Sequence, residues 1–284
     1  MRDTALSSCI VGCVIAFALF VSTGCDRDSS TQPPDTVIRI SGSGTCLPLL
    51  RVLSAEYERE HDVRFVYLPG LHSSGGIKGV VHGDLDIGAV SRALTDEERE
   101  LGVEYVHLSD DGLAIAAHPS AEVAALTSDQ VRGVYAGLYR NWVELGGADI
   151  PIVMLDRNED ESAKMILRQY VLGPMAVSED AIVLAYEQDM IDALQKTPGG
   201  IGYFSLGFGL SEGIEVDYVS IDGVPPSIDA IVAGEYPMVR PLGVVVSPSA
   251  EREVKDFVAW TQSGDARELV REHGFAPPLD AIGE

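Results

Sequence analysis

The sequence predicts an α/β fold of two lobes, each a mainly parallel sheet flanked by helices. Short β-branched runs lead repeatedly through Gly/Ser loops into amphipathic segments, as at 37–40, 41–45 and 49–60. Two similar apolar runs, 112–117 and 240–246, bracket a middle block, the pattern of an inserted lobe joined to the first by paired crossing strands. Length and hydrophobic content, 284 residues and 46%, allow a real core in each lobe.

In order, 37–40 is a strand and Ser41-Gly42-Ser43-Gly44-Thr45 a loop that starts a helix. Such a turn leaves backbone N–H groups unpaired where the helix dipole adds partial positive charge, so an anion can sit there without Lys or Arg. Gly42 and Gly44 permit close backbone approach, and the Ser43 and Thr45 hydroxyls add donors. A plain helix cap is the competing reading of any one such loop; recurrence downstream favours a site. On helix 49–60, Leu50, Leu53 and Tyr57 share a face, with Arg51, Glu56, Glu58 and Arg59 elsewhere. Residues 63–68 alternate as a strand, and a second Ser/Gly loop, 70–78, enters a short helix. A third strand, 85–90, ends in Ser91-Arg92; Thr95 with Glu98 forms a capping box, and 104–108 is strand-like. In parallel sheets ligands bind at the carboxyl ends of strands, where 41–45, 73–76 and Ser91-Arg92 converge.

The middle block begins after His118-Pro119. A capping box, Thr127 with Gln130, opens a helix, and 141–147 is a turn anchored by Trp142. Strand 152–155 ends in Asp156-Arg157, and 158–163 opens a helix through Leu172. A helix at 189–196 leads to the glycine-rich 198–205; 215–221 is strand-like, and 227–233 is a short helix. After the second apolar run, amphipathic helices at 249–262 and 264–273 close the chain.

A formal charge of −24 supplies no basic stripe for phosphate backbones, which excludes nucleic acid as the expected partner. It does not exclude an anion site built from local dipoles, because surface charge is screened within ~8 Å. The apolar run 10–20 has signal-peptide length, short of the ~20 residues of a membrane span. It ends in Val21-Ser22-Thr23-Gly24-Cys25, which resembles a bacterial lipoprotein cleavage box with Cys25 as the lipidated residue. Asp26 resembles the signal that keeps lipoproteins on the inner membrane of Gram-negative cells. A plain secretory signal or an uncleaved anchor is the alternative; in each case the rest of the chain is exported. Residues 1–25 are thus expected to be the signal and 26–36, rich in Ser, Asp and Pro, a flexible tether. With Cys9 and Cys13 in the signal, only Cys46 remains, so no intramolecular disulfide is available. Cys46 reads as a small packing residue in preference to a low-pKa thiol.

Several stretches taken together are similar to one family. They are Ser41 to Thr45; Ser73-Ser74-Gly75-Gly76-Ile77-Lys78; Asp86-Ile87-Gly88 with Ser91-Arg92; Asp111-Gly112; Asn141-Trp142 with Leu145-Gly146-Gly147; Thr197 to Tyr203; and Tyr236-Pro237 with Arg240-Pro241-Leu242. In this order, across 37–275, they resemble the periplasmic phosphate-binding proteins of ABC importers, which have the type II periplasmic-binding-protein fold. The resemblance implies lobe one at 37–118 plus 239–284 and lobe two at 119–238. It further implies a periplasmic, monomeric solute-binding protein that captures inorganic phosphate or a related oxyanion for an ABC permease, without a cofactor. By position, Ser43, Gly44, Thr45, Cys46, Ser73, Ser74 and Gly75 are expected to face the ligand from lobe one, with Ser91 and Arg92. Arg157 matches the family's ligand-facing arginine in lobe two, where a planar guanidinium suits an oxyanion.

One motif departs. Where the family usually has Gly-Ser-Gly-Thr after that arginine, this chain has Asp160-Glu161-Ser162-Ala163. Either both carboxylates face solvent and complement the helix dipole while Ser162 donates, or Glu161 accepts the ligand's proton in place of the family's Asp, which is Arg92 here. The third reading is that phosphate is not the ligand. A ligand-sensing or interaction module on the same fold is the alternative function. An enzyme is not expected: the six histidines lack metal-ligand spacing, and no nucleophile elbow or P-loop is present.

Overall fold

The computed structural model describes residues 36–278. The expected signal peptide, Cys25 and the expected tether up to residue 35 lie outside the described residues. The first lobe opens with β1 (Thr36–Gly42), α1 (Leu47–Glu58), β2 (Val63–Tyr67), α2 (His72–His82), β3 (Ile87–Val90) and α3 (Asp96–Arg99). These strands pair in parallel in the order β2-β1-β3, as crossover connections through covering helices require. β4 (Glu104–Ala117) then runs through both lobes. The two segments expected at 104–108 and 112–117 are one strand, because the intervening Ser109, Asp110 and Asp111 are buried and stay in the ladder with β11.

The second lobe holds β5 (Ala125–Leu126), α4 (Ser128–Tyr135), β6 (Val153–Arg157) and α5 (Ser162–Leu167), followed by β7 (Ile182–Leu184), α6 (Glu187–Lys196), β8 (Gly200–Ser205) and α7 (Leu206–Ser211). It ends with β9 (Asp217–Tyr218), β10 (Ser220–Ile221) and α8 (Ile228–Val232). The expected strand at 215–221 is split, with β9 on β4 and β10 on β5. The return strand β11 (Val239–Val246) lies antiparallel between β3 and β4, and α9 (Arg252–Trp260) and α10 (Gly264–Glu272) pack back on lobe one.

Each lobe has its own core. One gathers Ile38, Ile40, Leu50, Leu53, Phe65, Val244 and Phe257; the other gathers Ile115, Val131, Tyr135, Trp142, Leu167 and Tyr203. Trp142, fully buried, donates its indole N–H to the Gly199 carbonyl at 2.9 Å and so ties its turn to the start of β8. Among the described residues, no helix is long and apolar enough to cross a membrane.

Candidate functional site

β1, β3 and β6 all end at one crevice of about 120 Å³, well below the ~300–1,000 Å³ of pockets for drug-sized ligands. From lobe one it is lined by Ser43, Gly44, Thr45, His72, Ser73, Ser74, Ser91 and Arg92, and from lobe two by Arg157, Asp160, Glu161, Ser162, Tyr186 and Glu187, among others. Glycine packing brings the first set together. Gly42 has φ +135°, and a Cβ there would sit 2.3 Å from the Ala89 carbonyl oxygen. A Cβ on Gly76 would lie 2.9 Å from Gly42 Cα. Without these side chains the start of α2 lies against β1 and β3, and Ser73 Oγ reaches the Ser91 N–H at 3.2 Å. Ser43 Oγ donates to Ser91 Oγ at 2.7 Å. No hydrogen bond among the described residues uses the amides of Gly44 or Thr45, so both remain as donors.

In lobe two, β6 is held from beneath. Lys164, fully buried, donates to Asp156 at 2.7 Å, Tyr203 Oη donates to the same carboxylate at 2.6 Å, and the Arg157 N–H donates to Tyr203 Oη at 3.0 Å. This network sets the direction of Arg157, whose side chain is 4% exposed. Nη2 of Arg157 donates to the Ala185 carbonyl at 3.2 Å and pairs with Glu161 Oε2 at 3.1 Å. Arg157 Nε is buried with no partner. Buried N–H groups are nearly always paired, and this one, on a residue that lines the crevice, is left open.

At the strand crossing, Asp111 of β4 and Arg240 of β11 are register partners, both buried. Arg240 Nε and Nη2 donate to Asp111 Oδ2 at 3.1 and 3.0 Å, and Nη1 donates to Ser162 Oγ at 2.9 Å. Asp111 Oδ1 accepts from Ser205 Oγ and the Gly207 N–H. Burial raises the pKa of this carboxyl, with Arg240 opposing the shift. Three contacts bridge the lobes across the crevice: Ser91 Oγ to Ser162 Oγ at 3.1 Å, Thr45 Oγ1 to Glu187 Oε2 at 2.9 Å, and His72 Nδ1 to Glu161 Oε1 at 3.3 Å. His72 reaches across because it starts α2 with φ 56°, in the left-handed region.

Of the residues expected at the ligand, Ser43, Gly44, Thr45, Ser73, Ser74, Ser91, Arg92, Arg157, Glu161 and Ser162 line the crevice. Cys46 and Gly75 do not. Cys46 is fully buried with its thiol on the Gly243 carbonyl, and its N–H is used on the Ser43 carbonyl in the turn that starts α1. Burial pushes that thiol up to about 12. Gly75 lies one step round α2, where a Cβ would meet Leu71 Cβ at 2.7 Å. Arg92 is held by Glu98 through two bonds, at 2.7 and 2.8 Å, and donates to Ser74 Oγ at 2.9 Å. These bonds lower the Glu98 pKa and occupy the guanidinium. Asp160 is exposed, whereas Glu161 turns inward with its side chain 14% exposed.

The sequence reading missed Glu187 and gave Arg240 and Asp111 no role at the site. Asp111-Gly112 and Arg240-Pro241-Leu242 were visible as motifs; nothing local distinguished Glu187 from a helix-start acid. Among the described residues, no group of three or more His, Cys, Asp or Glu side chains is placed to hold a metal ion. Seryl hydroxyls, free amides and a buried arginine suit a small ligand rich in acceptor oxygens.

A family model described as a PBP superfamily domain matches residues 29–265. The phosphate-binding protein PstS of Borreliella burgdorferi is 24% identical over 273 residues, covering 92% of this chain and 97% of its own length. PstS of Bacillus subtilis is 27% identical over 253 residues, covering 86% and 81%. A solved ABC-transporter-type protein from Clostridium perfringens, with bound phosphate, superposes with a TM-score of 0.74 at 25% identity, covering 86% of this chain and all of its own.

Proposed function

This chain belongs to the PBP superfamily, and from that premise we propose that it is an extracytoplasmic solute-binding protein that captures phosphate or a similar oxyanion for an ABC permease. Binding, not catalysis, is its activity. The observation that carries the reading is the buried, unpartnered Nε of Arg157, a residue that lines a crevice together with serines from both lobes. Two relatives bear the name phosphate-binding protein, and a similar structure was solved with phosphate bound. Closure of the lobes over the ion excludes water and strengthens the neutral hydrogen bonds that hold it. The lobes of this proposal are 37–118 with 239–284, and 119–238, acting in a monomer.

Thermal-shift titration with phosphate, sulfate, molybdate and tungstate tests the reading. Phosphate is expected to raise the melting temperature; no shift from any of the four at millimolar concentration refutes oxyanion capture. A phosphate shift in a protein whose deletion leaves phosphate uptake unchanged favours sensing over transport. That second reading draws on Glu161, which already occupies Arg157. The anchor is proposed at Cys25, holding the protein to the inner membrane. Mass spectrometry of membrane fractions checks it: a lipid-modified N-terminus at Cys25 is expected, and an unmodified, soluble mature protein rules the anchor out.

A further inference from the structure

We propose that Glu161 is a built-in competitor for the anion, a carboxylate ion-paired with the arginine a ligand needs, which lowers the affinity of the site. This inference rests on the oxyanion reading and concerns how that site is tuned. Glu161 Oε2 lies 3.1 Å from Arg157 Nη2, and Oε1 lies 3.3 Å from His72 Nδ1. One side chain therefore occupies the guanidinium of its own lobe and the imidazole of the other. It does so incompletely. The second donor on that face of the guanidinium, Nε, is buried and unfilled, so the carboxylate supplies charge to Arg157 without taking its fork.

The other cations nearby cannot substitute for Arg157. Arg92 is held by Glu98, Arg240 by Asp111 and Lys164 by Asp156. Arg157 is the cation within the crevice whose counter-ion is single and whose fork is open. An oxyanion offering two oxygens satisfies both Nε and Nη2, and it enters by displacing Glu161 from Arg157 or by sharing the guanidinium with it. Displacement also breaks the His72 contact, one of those that reach across the crevice. Sharing places two negative groups together on one guanidinium. Both routes weaken binding relative to a site without this carboxylate. Capture then occurs only where the ion is abundant or presents two well-placed oxygens.

The opposite role, acceptance of a ligand proton by Glu161, predicts the opposite result, so one titration separates them. Isothermal titration with inorganic phosphate at neutral pH is run on the full protein and on Glu161→Gln, with melting curves to verify folding. Glu161→Ala replaces the Gln variant if that one fails to unfold cooperatively. The competitor role predicts binding about tenfold or more tighter without the carboxylate, including the case in which only the variant binds measurably. Equal or weaker binding by the folded variant overturns the competitor role and leaves phosphate capture standing. Absence of phosphate binding by both the protein and its variant overturns the inference together with the oxyanion reading it rests on.

Discussion

Arg240→Met is the substitution whose cost the structure defines most closely. Arg240 and Asp111 have side-chain exposures of 1% and 0%, at the point where the two crossing strands pair. Methionine fills most of the aliphatic volume but removes two bonds to Asp111 Oδ2, one to Ser162 Oγ and a 3.7 Å ion pair with Glu187, which keeps the Ser205 N–H and Thr45. Asp111 keeps only Ser205 Oγ and the Gly207 N–H, both on its other oxygen. Breaking a buried pair from one side costs about 3–5 kcal/mol, because the remaining charge is left uncompensated. The two surviving bonds place this case near ~3 kcal/mol, a shift of about 6–12 °C for a protein of this size. Urea and thermal unfolding measure it, with Arg240→Met/Asp111→Leu as the partner variant. The double variant removes the stranded charge and is expected to be more stable than Arg240→Met alone. A single-variant loss below ~1 kcal/mol with unchanged urea dependence, or a double variant no better than the single, would show that Asp111 carries no buried charge needing Arg240.

Two further outcomes follow from burial and pairing. Cys46, with its thiol pushed up to about 12, stays protonated and unmodified by alkylating reagents at pH 8 in the folded protein and reacts on unfolding. The folded state keeps a proton there that the unfolded thiol, near ~8.5, gives up, so this group's stabilisation is complete below ~8.5 and is lost as pH rises toward 12; rapid native labelling would contradict the buried placement. Glu98, its pKa lowered by Arg92, stabilises the fold above the ordinary carboxylate range and ceases to as pH falls through its folded-state value. Glu98→Gln is therefore expected to destabilise at pH 7 and to match the parent in acid, as thermal unfolding at the two pH values will show; an equal deficit at both would exclude the ion pair as its cause.

The parts of the site that were legible in sequence are those built locally. The Ser/Gly loop at 41–45, the Ser91-Arg92 strand end and Arg157 each sit where a strand stops, and Ser73 and Ser74 lie in the first turn of the helix that follows β2; parallel-sheet geometry gathers such ends on one side. The Cys46 side chain packs as its sequence reading expects, but its amide does not reach the crevice because the turn that starts α1 uses it on Ser43, a choice between neighbouring carbonyls that composition does not show. Glu187 reads as an acid complementing the dipole of α6; its contacts are Thr45, 142 residues away in the chain, the Ser205 N–H and Arg240. Arg240, Asp111 and Ser162 meet only because β11 returns antiparallel beside β4. Glu161 carried a visible conflict, a carboxylate in an anion motif, and its inward orientation follows from Arg157 four residues before it and from His72 across the crevice.

The most direct measurement is phosphate titration of the parent protein against Arg157→Ala by isothermal calorimetry. Truncating one partner of a buried charge-assisted contact costs about 2–5 kcal/mol, ~30-fold or more in affinity. The account predicts saturable phosphate binding by the parent and its near-complete loss in a variant that still unfolds cooperatively. Parent and variant binding phosphate equally well would contradict it.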